Sequence, residues 1–227
     1  MCHNYRTLFC YCRTMRTARR RTPSIEIEDA VVGAALRLLA EQGAAALTVR
    51  GLAAAAGIAP MGIYNHFGDK NGVVDVVVRR GFEELSAAVS VGLAVEDPIE
   101  GLRAGLHAYR DFALRHRTTY AVMFLGEVPN FLISDSTLEV AARSFGVLTR
   151  GVERAMRSGE VRRDDPVAIA QQLWSATHGA VALELIDLCL VDDPAAVYAA
   201  LVETMLVGLG PLRGEAAARG ARRARAR

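Results

Sequence analysis

An all-α protein in two helical parts is expected from three features. Apolar residues recur at helical spacing from Ile25 onward, no alternating strand pattern of useful length appears, and Gly, Asp-Pro and Asp-Asp-Pro breakers divide the chain into helix-sized pieces. The 227 residues are 52% hydrophobic and only 6% aromatic, with Ala, Leu and Val dominant, a composition suited to close-packed helices. A chain of this length can hold two small domains and bury a sizeable core.

Residues 25–42 carry Ile27, Ala30, Val31, Ala34, Ala35, Leu38 and Leu39 on one face, and Gly43 ends that helix. Thr48 is a good N-cap for a short helix through Leu52 to Ala56, because its hydroxyl can accept from a free backbone N–H. Gly57 supplies the positive φ of a tight turn, and Pro60 suits the first position of the next helix. Leu52, Ala56, Ile58 and Ile63 would lock the two at the angle of a helix-turn-helix, leaving Met61, Gly62, Tyr64 and Asn65 on or beside the exposed face. Two helices so short form no core, but they can place side chains in a DNA groove.

Asp69 caps a longer helix from Lys70 to Val91, and Glu96-Asp97-Pro98 breaks the chain. Further helices are expected at 98–115, 118–126, 135–158, 166–190 and 194–209. The last two, beginning at Pro166 and Pro194 and ending at Leu190 and Leu209, are strongly apolar. Each can bury only one face in a small domain, and the surplus predicts pairing with the same helices of a second copy in a four-helix bundle.

The formal net charge of +2 conceals an asymmetry: residues 1–22 hold six arginines and no acid, 213–227 hold six arginines and one glutamate, and the body between is acidic. The expected division is a basic, disordered extension at 1–22, a DNA-reading domain at 23–70, an effector-binding and dimerisation domain at 71–212, and a basic, disordered tail at 213–227. Arg16, Arg19, Arg20 and Arg21 read either as an arm along DNA or as a solvated tail. Cys2, His3, Cys10 and Cys12 match no common zinc spacing, and Met15 is an alternative translation start. Residues 1–22 lack the apolar core of a secretory signal, and no run of about 18 apolar residues suggests a membrane span. Cys189 reads as a core thiol, and cysteine usage points to the cytoplasm. Nothing calls for a metal or a cofactor.

The run Thr-x-x-x-Leu-Ala-x-x-Ala-Gly-Ile-x-x-x-x-Ile-Tyr-x-His-Phe-x-x-Lys at 48–70 resembles the N-terminal domain of tetracycline-repressor-like (TetR family) regulators, with the likeness extending over 26–75. The resemblance implies phosphate contacts from Tyr64, His66 and Lys70, with Thr48 also touching the backbone and Arg50 among the DNA-facing residues. It sets Pro60, Met61, Gly62 and Asn65 against base edges. Ala59 departs from the hydroxyl residue usual at the cap of the reading helix, a loss worth about 1 kcal/mol of helix stability, and Gly62 stands where threonine or alanine is common.

A second signature, Trp174-x-x-x-His178-Gly179, puts the only tryptophan and a histidine on one helix face, with a glycine that allows close approach of another helix. It resembles one C-terminal-domain subgroup of the same family. Trp174 and His178 read either as the wall of an effector pocket or as core. Tyr109, Phe112 and His116 on one helix, Met123 and Phe124 on the next, and Phe145 and Thr149 on the long helix after Asp135 are the other pocket candidates, with Leu106, Phe131 and Leu148 beside them. Together they predict an apolar pocket and a small hydrophobic or amphipathic effector.

The expected function is therefore that of a transcriptional regulator, a homodimeric repressor of a palindromic operator released by effector. The rival is a ligand-independent DNA-binding or architectural protein. An enzyme is not expected, since no metal cluster, phosphate loop or nucleophile elbow appears.

Overall fold

The computed structural model describes residues 24–210; the basic ends and the Cys2–Cys12 stretch lie outside the described residues. Within them are nine α-helices, one 3-10 turn and no strand: α1 (Ser24–Gln42), the turn (Ala44–Ala46), α2 (Val49–Ala56), α3 (Pro60–Phe67), α4 (Lys70–Leu93), α5 (Pro98–Arg115), α6 (Arg117–Phe124), α7 (Asp135–Ser158), α8 (Pro166–Leu185) and α9 (Pro194–Gly208). The all-α expectation is met.

Most helix starts are fixed by side chains that satisfy free N–H groups. Thr48 accepts from Gly51, Asp69 from Gly72, Asp97 from Ile99 and Glu100, Ser134 from Thr137, Asp165 from Val167 and Asp193 from Ala196. Pro98, Pro166 and Pro194 each follow such an aspartate at the first helical position, where the missing N–H costs nothing.

Ends are less regular. Helix α8 stops at Leu185, not at Leu190 as expected. Asp187 takes φ 56°, its N–H donates to the Glu184 carbonyl (3.3 Å), and the Leu188 N–H donates to the Leu183 carbonyl (3.0 Å). That pair of bonds closes the helix as a glycine would, so the apolar run Ile186, Leu188, Leu190 leaves it as an exposed segment. The helix expected at 118–126 likewise ends at Phe124, ahead of Gly126 at φ 71°.

Two cores result. The first joins Val31, Leu39, Leu52 and Ile63 of α1–α3 to Val73, Val74, Val77 and Val78 of α4, and continues to Phe82, Val122 and Val140. Burial of one such side chain stabilises by about 1.5–3 kcal/mol. The second gathers Leu85, Val89 and Leu93 of α4 with the apolar faces of α5–α9, including Leu102, Phe112, Tyr120, Val152, Ile169 and Tyr198. Helix α4 thus belongs to both, and the boundary expected at Lys70 falls at the start of a shared helix. Its far half lies close to α5 because Gly92 faces the backbone of Ala104 and Gly105, where a Cβ would meet atoms at 2.6 Å. Its near half is tied to α1 by Glu28, which accepts from Arg79 (3.0 Å) and Arg80 (2.9 Å), while Arg80 also pairs with Asp29 (2.6 Å).

Candidate nucleic-acid interface and internal cavity

The α2–α3 pair forms the expected helix-turn-helix geometry. Gly57 at φ 68° lets its own N–H reach the Ala54 carbonyl and the Ile58 N–H reach the Ala53 carbonyl, ending α2 and redirecting the chain. Leu52 and Ile63 are fully buried between the helices, with Ala56 and Ile58 partly buried around them. Ala59 caps α3 with no side-chain bond, and Pro60 follows it.

Pro60, Met61, Tyr64 and Asn65 share the outward face of α3; Met61 is 63% and Tyr64 52% exposed. Gly62 is set apart from that face. It is half-buried and its Cβ direction points at Ile58 Cδ1, 3.1 Å away, so it packs against the turn.

Thr48, Arg50, His66 and Lys70 are exposed, and neither Arg50 nor Lys70 has an ion-pair partner among the described residues. The Thr48 hydroxyl is already engaged by Gly51 N–H at 3.0 Å. His66 Nδ1 lies 3.3 Å from the Ser24 hydroxyl, which joins the end of α3 to the first residue of α1. Arg37 donates to the Ala55 carbonyl (3.2 Å), steadying α2 against α1. Neither Ser24 nor Arg37 carries a sequence signal for such a role, because both contacts join residues distant in the chain.

The second feature is a cavity of about 210 Å³ among α4, α5, α6, α7 and α8, open to solvent on one side. Tyr109, Phe124, Phe145 and Trp174 line it, with Leu106 and Leu148 beside them. Of the other candidates, Phe112 is sealed in the core at 2% exposure, and His116 lies outside at the end of α5, its ring stacked on Phe112 at 4.8 Å. Met123 packs beside Gly81, Phe131 packs on the first core, and the Thr149 hydroxyl turns back to the Phe145 carbonyl (3.4 Å). Six candidates (Phe112, His116, Met123, Phe131, Thr149, His178) therefore stand off the cavity wall, since each helix presents only one face to it.

Wall residues that sequence reasoning passed over are Phe82, Leu85 and Val89 of α4, Gly105 of α5, Ala141 and Ser144 of α7, and Gln171 and Thr177 of α8. The α4 trio lies at helical spacing and reads as ordinary core.

Trp174 and His178 are explained by a network behind the wall. Trp174 Nε1–H donates to the Tyr109 hydroxyl (3.2 Å), the Tyr109 and Tyr120 hydroxyls are 2.8 Å apart, and His178 Nδ1 lies 3.0 Å and 2.7 Å from them. Burial pushes Tyr109 up to about 12, against smaller opposing effects of its bonds to Tyr120 and Trp174. Tyr120 rises further through burial and the neighbouring Tyr109, and His178 is lowered by burial. A neutral imidazole with Nδ1 as acceptor satisfies all three: Tyr109 donates to Tyr120, and Tyr120 to Nδ1. His178 thus braces the wall, while Trp174 is both wall and core. Glu184 serves Arg110 (2.8 and 2.6 Å) and not His178. Gly179 faces away from the domain, with nothing within 4 Å of its Cβ direction.

A helix-turn-helix with an outward-facing second helix, joined through one shared helix to an α-helical domain that holds a cavity, defines a helix-turn-helix transcriptional regulator. Residues 31–77 match the bacterial regulatory proteins of the tetR family, and residues 102–205 match the tetracyclin repressor-like C-terminal domain. The chain belongs to the TetR family. It is similar to the HTH-type transcriptional regulator Rv1816 of Mycobacterium tuberculosis, 24% identical over 87% of this chain and 98% of that protein. Among solved structures, a protein of unknown function from Rhodococcus sp. RHA1 aligns with TM-score 0.72 at 26% identity, over 81% of this chain and 95% of the other. The TetR family regulator PfmR from Thermus thermophilus shares the fold, with TM-score 0.61 at 23% identity over 79% of this chain and 98% of its own. Among the described residues no helix is long and apolar enough to cross a membrane.

Proposed function

We infer that the protein is a homodimeric repressor that binds a palindromic operator and releases it when a small hydrophobic or amphipathic molecule fills the cavity. The observation that carries this reading is the double membership of α4. Val73, Val74 and Val77 sit in the core of the DNA-reading domain, and Phe82, Leu85 and Val89 on the same helix form part of the cavity wall. A ligand that displaces the far half of α4 therefore moves the reading head, and binding shifts the population between operator-competent and released arrangements.

In this reading Met61, Asn65 and Pro60 meet base edges, with Gly62 contributing backbone only. Tyr64, His66, Lys70, Thr48 and Arg50 hold the phosphates. Residues 23–70 read DNA and 71–212 bind effector and dimerise. The dimer face is the outer side of α8 and α9. Val167 (52% exposed), Ser175, Gly179 and Leu183 (49%) on α8, and Val197 (51%), Ala200, Thr204 and Val207 (78%) on α9, make an uncharged surface with small residues where helices would cross. Open space over Gly179 is where a helix of the second copy fits. Two α3 helices then read half-sites spaced about 34–36 Å apart or a multiple of that.

The test is selection of bound duplexes from a random pool, with sedimentation of the protein alone. An enriched palindrome and a dimer that Leu183→Arg splits, with matching loss of palindrome affinity, support the reading. Binding without enrichment would replace it with the architectural one.

A further inference from the structure

We propose that the cavity takes a compact, neutral ligand of one or two fused rings, which presents a single polar group to Ser144 and Gln171. This rests on the effector reading and narrows it to a chemical class.

Size is the first argument. A cavity of about 150 Å³ accommodates one benzene, and this one measures about 210 Å³, room for a second ring. Shape agrees, since Phe82, Phe124, Phe145 and Trp174 surround it with ring faces and edges. Phe124 and Phe145 pack against the Trp174 indole at 6.2 and 6.0 Å, and Phe82 meets Phe124 edge-on at 5.5 Å.

Charge is the second argument. No side chain on the wall is ionisable except the Tyr109 phenol, which burial keeps protonated. His178, behind the wall, is held neutral. Arg110 is engaged with Glu184 and its guanidinium lies over the Tyr198 ring at 5.5 Å, away from the lining. An ionised ligand group would give up part of its hydration and find no counter-charge on the wall.

Few polar atoms of the wall remain available. The Tyr109 hydroxyl is taken up by Trp174, Tyr120 and His178, and the Thr177 hydroxyl donates to the Leu173 carbonyl at 2.9 Å. Gln171 gives one amide N–H to Ser175 (3.0 Å), which leaves its carbonyl oxygen and second N–H available at an exposed position. The Ser144 hydroxyl has no side-chain partner among the described residues. Ser144 stands on α7 and Gln171 on the neighbouring α8, and the other polar groups of the wall are engaged, so the ligand's polar group falls to these two and the rest of it stays apolar.

The experiment is calorimetric titration of the full chain with 2-naphthol, naphthalene, 2-naphthoate and hexadecanoate, alongside Ser144→Ala and Ala141→Leu variants. The expected result is binding of 2-naphthol, with 2-naphthoate at least about tenfold weaker. Ser144→Ala weakens 2-naphthol about three- to tenfold and leaves naphthalene unchanged. Ala141→Leu, which fills the cavity, weakens both. Tighter binding of 2-naphthoate or hexadecanoate than of 2-naphthol, still blocked by Ala141→Leu, would overturn the ligand class and leave the effector cavity standing. Failure of all four to bind, with Ala141→Leu raising the unfolding temperature, would mark the cavity as a packing defect and remove the effector reading as well.

Discussion

The Asp75 carboxylate on α4 accepts from both the backbone N–H and the hydroxyl of Ser134, at 2.9 and 2.8 Å, and from the Thr137 hydroxyl at 2.9 Å. Ser134 is the N-cap of α7, and Thr137 is fully buried in its first turn. One side chain therefore fixes the start of α7 against the part of α4 that packs in the DNA-reading domain. The cavity opens further along the same two helices, between Phe82 and Val89 on α4 and Ala141 to Leu148 on α7. Asp75 thus ties α7 to α4 on the reading-domain side of the cavity.

Asp75→Ala should cost about 2 kcal/mol, since hydrogen bonds to a charged group contribute about 1.5–3 kcal/mol and the change leaves Thr137 and Ser134 unsatisfied. Urea unfolding measures it. Thr137→Val, which keeps both Ser134 bonds and the cap of α7, should cost less; equal losses would show that the carboxylate acts only through the Thr137 hydroxyl.

Tyr64→Phe and Lys70→Ala should weaken binding to all duplexes alike, because phosphate contacts position without specifying sequence. Lys70→Ala should also lower the slope of log affinity against log salt by about 1 for each bound protomer. Affinities for an enriched and a scrambled duplex across a salt series test both. A changed base preference at unchanged affinity would move these side chains from the backbone to the bases.

Gly72→Ala should destabilise by about 3 kcal/mol or more. Gly72 donates its N–H to Asp69 at the start of α4, and a Cβ there would fall 1.8 Å from the Phe67 carbonyl oxygen. That oxygen is backbone and cannot swing away, so the α3–α4 junction must shift. Thermal unfolding reads the loss, and operator binding should fall with it.

Stability should decline on acidification through His178. Burial lowers its folded-state value below the ordinary 6.5, so the unfolded chain takes up its proton first. The contribution is complete above 6.5 and is lost as pH falls from there toward the lower folded value. His178→Gln, which keeps an acceptor beside Tyr109 and Tyr120, should flatten that part of the profile. A profile that stays as steep as the parent's would assign the acid sensitivity to other groups.

Helix beginnings are readable because their causes are local: Thr48, Asp69, Asp97, Asp165 and Asp193 each cap the helix that follows them. The end of α8 is not, because an aspartate at φ 56° does there what glycine usually does, and nothing beside Asp187 announces it. The outward residues Met61, Tyr64 and Asn65 follow from the position of Pro60 in an eight-residue helix. Gly62 departs from them because a missing side chain has no visible direction until Ile58 is seen beneath it. The cavity is half legible. Aromatic residues can be picked out, but which face of each helix looks inward depends on crossing angles, and so spacing alone groups His116 and Thr149 with Phe145 and Trp174. The His178 partners come from two other helices, and no spacing within α8 could show them.

Lys70 is the chain's one lysine, exposed at the first position of α4 next to the reading helix. Every other fixed cation along the chain is an arginine, inert to reagents that acylate amines. The side chains therefore offer a single ε-amine, at the edge of the surface proposed to lie on DNA. Acylating it erases one positive charge at one known address, so the rate of its modification becomes a footprint of that edge, slow when a duplex covers it and fast when the duplex has left.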